Sequence, residues 1–252
     1  MNRALHSILV FLAIVVTSRG GETTDVRLAD GFDLPVGRDG TVKYYKARGY
    51  TPNGHLGEDW NGVGGGDTDL GDPVYSTGHG IVVFAQDYKL GWGNVVIIRH
   101  AYLNAGEMKF VDSLYGHLNE IKTVLGKQVT RGELIGTIGS NRGMYPAHLH
   151  FEMRKDLRVG MFRSSFPRDF SVYWDPTKFI AERRVLDHGG GRLVAVPINT
   201  FPETAPPLIA ETSLPANELP PRPGASALRK SPLMQRSPTL PDKFQDLRGF
   251  GY

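Results

Sequence analysis

The chain contains no cysteine. That absence excludes a disulfide framework and any zinc site built on thiolates, so a metal here has to be held by histidine, aspartate or glutamate. It does not exclude export. A strong charge of one sign is missing too: 29 Lys and Arg stand against 26 Asp and Glu, a formal charge of +3 with a pI near 9.0. With no basic stripe interleaved with aromatics, that excess falls short of a nucleic-acid footprint, and no nucleic-acid partner is expected. Long apolar runs are lacking apart from Ile8 to Val16, which has about half the length of a bilayer span. With Arg3 before it and small residues around Ser18, this run reads as a signal peptide over residues 1–18. The protein is then exported, with no stable membrane insertion after cleavage.

What the chain does have is a large number of short β-branched runs. Ile81 to Phe84, Val95 to Ile98, Lys109 to Val111, Leu134 to Ile138 and Leu149 to Phe151 are separated by Gly, Asn and Asp turn signals. Such spacing predicts an all-β domain of many short strands. The one helix expected is Thr177 to Arg184, opened by Asp175 as N-cap and Pro176 at the first helical position. It closes a domain spanning residues 21–188. From residue 189 onward the composition shifts, and 11 of the 17 prolines fall between Pro197 and Pro241. A stretch of that composition cannot offset its ordering entropy by apolar burial, so residues 189–252 are expected to be a disordered, Pro-rich tail.

Three segments carry the chemistry. In Pro146 to Met153, His148 and His150 are two residues apart in a strand pattern, so both face one surface while Leu149 and Phe151 face a core. In Asn53 to Trp60, His55 and Asp59 lie on a turn that runs into a strand. One imidazole and one carboxylate from this segment, joined by an imidazole from His148 or His150, make the three-ligand set of a catalytic zinc site, with the fourth position open. The third segment, Ser113 to Leu118, places His117 at a strand end beside Gly116. Imidazoles left over beside such a metal are the groups that hydrolysis would use. Glu58 reads as solvated surface. His100 reads as structural, and His6, His79 and His188 as histidines without partners.

The His-x-Gly-x-Asp of His55 to Asp59, the Tyr-Gly-His-Leu of Tyr115 to Leu118 and the His-Leu-His-Phe-Glu of His148 to Glu152 resemble, in order, the signature of the lysostaphin-type zinc metallopeptidases. These enzymes cleave peptide bonds in bacterial peptidoglycan. Linking pieces match as well, among them Gly71 to Val74, Gly91 to Ile97, Gly132 to Gly139 and Asp175-Pro176. The resemblance covers roughly Phe32 to Ile180 and implies a barrel-like β sandwich, the duplicated hybrid motif. It further implies one zinc ion held by His55, Asp59 and His150, with His117 and His148 as catalytic histidines. The substrate would be a peptidoglycan peptide and the location the periplasm, the extracellular space or the cell wall; the chain is separately expected to be a monomer. The alternative is a non-catalytic wall-binding or amidase-regulating protein on the same fold. One departure stands out: Asn61 to Leu70 is longer and richer in glycine than the family's usual link. It is expected to be a flexible polar loop and a candidate wall of the substrate groove.

Overall fold

The computed structural model describes residues 22–38, 40, 43–89, 91–186 and 191–202. The expected signal peptide, His6, His188 and the tail beyond residue 202 lie outside these residues. The described chain is built from antiparallel strands and one short α-helix, as the patterning predicts.

The principal sheet contains β2 (Tyr44–Arg48), β3 (Glu58–Gly62), β10 (Leu149–Arg154), β7 (Glu107–Leu118), β6 (Asn94–Asn104), β5 (Gly80–Asp87) and β8 (Gln128–Val129), hydrogen-bonded in that order. A further short strand, β11 (Tyr173–Trp174), pairs with β10. Two small sheets flank it. β4 (Pro73–Tyr75) pairs with β9 (Leu134–Thr137), and β1 (Thr23–Arg27) pairs with β12 (Leu193–Pro197). Val74 of β4 and Ile135 of β9 pack with Val96, Tyr115, Leu149 and Phe151 of the principal sheet in the main core. Val26, Val194 and Val196 pack with Ile81 and Ala101 in a second cluster. Leu149 and Phe151 are wholly buried. At about 1.5–3 kcal/mol for each such side chain, they fix which face of β10 carries His150.

The helix α1 (Pro176–Glu182) starts as expected: Asp175 is the N-cap, accepting a hydrogen bond from the Lys178 amide at 2.9 Å, and Pro176 opens the first turn. It is docked by Glu58, and here the structure corrects the sequence reading. Glu58 is not solvated surface but fully buried. Its carboxylate accepts from the Thr177 hydroxyl at 2.7 Å, the Lys46 ammonium at 2.9 Å and the Trp60 indole at 3.2 Å. Strand alternation explains this: Glu58 and Trp60 share the face opposite Asp59.

The expectation of disorder from residue 189 is corrected over residues 193–197. Leu193–Pro197 is a strand, with Val194 and Val196 facing inward against the second core cluster. Arg99, itself buried and paired with Asp112 at 2.7 and 2.8 Å, donates to the Pro197 carbonyl at 2.6 Å. The proline content of the whole stretch masks the local alternation of Leu-Val-Ala-Val-Pro. His79, read as having no partner, has two: its Nε2 lies 3.2 Å from Asp30, and its Nδ1 accepts from the Arg131 amide at 3.0 Å.

Candidate metal centre

Strand register assembles the centre. β3, β10 and β7 are neighbours, and Asp59 stands directly opposite His150, which in turn stands opposite Gly116. His55 arrives from the turn before β3. That turn lies so close to β10 that a Cβ on Gly57 would sit 2.5 Å from the Phe151 carbonyl and 2.7 Å from Glu152 Cγ. Only glycine brings His55 this near. The result is a set of three donor atoms: His55 Nε2 and His150 Nδ1 are 3.1 Å apart, and Asp59 Oδ1 is 3.1 Å from the first and 2.9 Å from the second.

The outer nitrogens decide what this set requires. His55 Nδ1 is 3.1 Å from the Gly49 carbonyl, and His150 Nε2 is 2.9 Å from Glu152 Oε1. Each outer nitrogen therefore carries a proton and donates it, so the inner nitrogens offer lone pairs. Two lone pairs and a carboxylate facing each other at about 3 Å repel unless a cation lies among them. Two imidazoles and one carboxylate suit zinc and leave a coordination position free. The residues fit the ion. Without metal, a proton takes that place. Burial lowers the pKa of His150, but hydrogen bonds to Asp59 and Glu152 outweigh it and raise the net value. Burial likewise raises Asp59, and the contacts with His150 and His55 overcome this, holding its carboxyl well below the usual range.

Glu152 was quoted above only as part of a motif. It is fully buried, and although burial opposes ionisation, Arg154 together with His150 lowers its pKa to about 2. The spacing held a usable signal: His150, Glu152 and Arg154 alternate along one face of β10.

His117 and His148 stand beside the donor set, their rings 4.9 Å apart, with His117 5.7 Å from His150. His148 Nε2 is 3.8 Å from Asp59. Each has its Nδ1 engaged by a backbone carbonyl, His117 to Trp92 at 3.1 Å and His148 to Pro146 at 2.8 Å, which leaves both Nε2 atoms to accept protons. His117 adopts φ +61°, a left-handed conformation unusual for a non-glycine residue. Its ring lies between Trp92 and Tyr145. Burial, with the charges of His150 and His148, lowers its pKa to about 3, so it is neutral at physiological pH. Trp92 can lie over this region because a Cβ on Gly116 would come within 3.3 Å of its ring.

The five residues named from the sequence therefore line one cleft of about 400 Å³, joined by Trp92, Tyr145, Arg48 and Arg163, which the sequence reading did not single out. The loop at 61–70 does not line it. Its side chains instead tie the segment before the histidine strand and the end of β3: Asp67 accepts from the Ala147 amide at 2.7 Å, Asn61 donates to the Ala147 carbonyl at 3.1 Å, and Asp69 accepts from the Gly62 amide at 2.8 Å.

An antiparallel sheet with a His-Asp-His donor set and two further imidazoles on one face defines a metalloprotein centred on a strand-borne mononuclear site. The profile of Peptidase family M23 matches residues 55–160. The chain is 33% identical over 122 residues to the peptidoglycan DD-endopeptidase ShyA of Vibrio cholerae, covering 47% of this chain and 26% of that one. It is 35% identical over 86 residues to the lipoprotein NlpD of Yersinia enterocolitica, covering 33% of this chain and 78% of that one. The catalytic domain of lysostaphin from Staphylococcus simulans superimposes with a TM-score of 0.40 at 27% identity, covering 55% of this chain and 92% of that one. The chain belongs to peptidase family M23. It spans about a quarter of the length of the first curated relatives it matches, ShyA and the DD-carboxypeptidase/endopeptidase Mpg of Neisseria meningitidis.

Proposed function

We propose that the protein is an exported zinc-dependent endopeptidase that hydrolyses peptide bonds in bacterial peptidoglycan, in a cross-bridge or a stem peptide. The observation that carries this reading is the closed donor set of His55, Asp59 and His150, with two proton-accepting Nε2 atoms beside it. ShyA, a peptidoglycan DD-endopeptidase by name, supplies the substrate class. Export rests on the basic start and short apolar centre of residues 1–18.

In this reading His55 Nε2, Asp59 Oδ1 and His150 Nδ1 hold the zinc, and Glu152 and the Gly49 carbonyl fix the two imidazoles in the tautomers that ligation needs. The bound ion supplies a Lewis acid that polarises the scissile carbonyl and acidifies the attacking water. His117 and His148 do the proton work. One of the two neutral imidazoles takes a proton from the attacking water at Nε2 and returns it to the leaving amine, while its Nδ1–H remains on a backbone carbonyl and keeps the ring oriented; the lowered pKa of His117 makes it a weak acceptor and, once protonated, a ready donor to that amine. A wall-binding protein without catalysis would need none of these five groups, and none of the five is missing.

The test is direct. Purified protein should hold about one zinc per chain and release new amino groups from cell-wall sacculi, and His150→Ala should abolish both. His117→Ala and His148→Ala should each keep the metal while turnover falls by about 10²–10⁴-fold. A zinc-free wild-type chain, or undiminished cleavage by His150→Ala, would refute the assignment. Mass spectrometry of the released muropeptides identifies the bond.

A further inference from the structure

The cleft that holds the donor set has two arginines in its walls and one carboxylate, Asp59, which the zinc ligand role consumes. Arg163 stands over the Trp92 ring at 4.9 Å and reaches Glu152 at only 3.4 Å. Glu152 already has closer partners in His150 at 2.9 Å and the buried Arg154 at 2.7 Å, so the charge of Arg163 remains largely unmatched. Its side chain is 33% exposed towards the cleft. Arg48 is exposed and has no carboxylate partner among the described residues.

Arg48 faces the cleft because of a backbone irregularity. β2 pairs with β3 as Tyr44 to Gly62, Tyr45 to Asn61 and Lys46 to Trp60, and then the register shifts so that Arg48, rather than Ala47, stands opposite Asp59. With regular alternation Arg48 would share the face of Lys46, whose ammonium is on Glu58 behind the sheet. The bulge turns it to the metal face, the re-aiming of a side chain that β-bulges beside sites provide. Both arginines lie outside residues 55–160, the stretch matched by the family profile.

We infer that this cleft selects peptides bearing a free carboxylate next to the bond that is cut, and that Arg48 and Arg163 are the specificity-determining residues that engage it. The inference rests on the peptidase reading for the word "cut", but the carboxylate site itself does not depend on turnover. A guanidinium offers a planar pair of donors that matches a carboxylate in two parallel hydrogen bonds. With zinc bound, the ion and Asp59 leave one positive charge, and the two arginines bring the cleft to about +3, which favours anionic peptides over neutral ones and repels cationic ones. The carboxylate can be the chain terminus or a side chain.

Calorimetric titration of the full chain distinguishes these sources. Zinc is first removed with a chelator, so that the metal does not itself bind carboxylate. Two matched pairs of probes are used: a short acetylated alanine peptide as free acid and as amide, and a blocked alanine peptide carrying one glutamate or one glutamine. At least one acid should bind about tenfold more tightly than its neutral partner, and the pair that shows the preference identifies the source. In Arg48→Gln/Arg163→Gln the ratio should fall to about one. Should that double variant not fold, Arg48→Gln alone, at an exposed site, should still reduce the ratio. Equal binding within both pairs, or a preference undiminished in the arginine variants, overturns the inference. A chain that holds zinc and cleaves sacculi without carboxylate preference refutes this inference alone; one that keeps the preference but neither holds zinc nor cleaves refutes the peptidase reading alone.

Discussion

His100 lies in the middle of β6, away from the cleft, and should impose a pH dependence on stability that has nothing to do with zinc. It is fully buried between two elements of its own neighbourhood, with Nδ1 2.9 Å from the His79 carbonyl and Nε2 2.7 Å from the Ser113 hydroxyl. The carbonyl can only accept, so Nδ1 carries the proton and Nε2 accepts from Ser113. A second proton would charge a ring that water does not reach. Burial therefore lowers the pKa from the ordinary 6.5 to about 4, only partly opposed by the His79 carbonyl. The sign follows from linkage. Above pH 6.5 both folded and unfolded chains hold a neutral imidazole and stability is unaffected. Between 6.5 and about 4 the unfolded chain takes up a proton that the folded chain refuses, so stability falls as pH falls. At about 1.4 kcal/mol for each pH unit, the loss across that window is about 3 kcal/mol, a large part of the 5–15 kcal/mol typical of a domain. Urea unfolding at several pH values between 7 and 4.5 measures it, with His100→Gln as the reference, because glutamine can give one hydrogen bond to the His79 carbonyl and accept one from Ser113 but does not titrate. The protons of the zinc site are common to both proteins and cancel in the difference. Parallel stability curves for the two proteins, or a His100 imidazole that titrates near 6.5 by NMR, would refute the reasoning.

Two further perturbations test the framework around the centre. Glu58→Ala removes the acceptor shared by Thr177, Lys46 and Trp60 in a fully buried position, and should destabilise the fold by about 2–4 kcal/mol in chemical unfolding; a change under about 0.5 kcal/mol would restore the surface reading of this residue. Glu152→Gln keeps the shape but weakens the acceptor that holds His150 Nε2–H, and should lower zinc affinity by about 10–100-fold, measured by competition with a chromogenic chelator. Unchanged affinity would mean that His150 is oriented by packing alone.

The strands and the donor residues were legible in the sequence because each depends on local order. Alternation in Leu149 to Phe151 fixes a face, Asp175-Pro176 fixes a helix start, and the His-x-Gly-x-Asp and His-x-His spacings place candidate donors on turns and strands, whereas the choice of His150 over His148 rests on the family resemblance. What was not legible depends on pairing across the sheet. Glu58 is one residue from a ligand in sequence, yet its environment is set by Lys46 and by Thr177, 119 residues away. His79 gains its partners from Asp30 and Arg131, 49 and 52 residues away. β12 was hidden because composition averages over a proline-rich stretch, whereas its strand character comes from Val194 and Val196 meeting β1. The glycine-rich loop looked like groove wall because it follows Asp59 in sequence, but its polar atoms turn towards Ala147 and Gly62 instead.

The same long-range register explains why the centre needs so little dedicated sequence. Arg48, Asp59, His150 and Gly116 form a single row across β2, β3, β10 and β7. A slip of one residue in any ladder would send that strand's member of the row to the opposite face, so the packing that sets the register also sets the site. Leu149 and Phe151 are fully buried beside His150, and Trp60 beside Asp59 is nearly so; the free energy that holds these side chains in the core therefore also holds the ligands in line. The bulge between Lys46 and Arg48 is the one place where the row departs from regular pairing. Glu58 stays behind the sheet with Lys46, while the next side chain but one is delivered to the metal face. A strand that needed only to cover the core could do without that irregularity. Its position, one ladder step from the donor Asp59, is where a peptidase would tune what it accepts without disturbing the residues proposed to hold the metal.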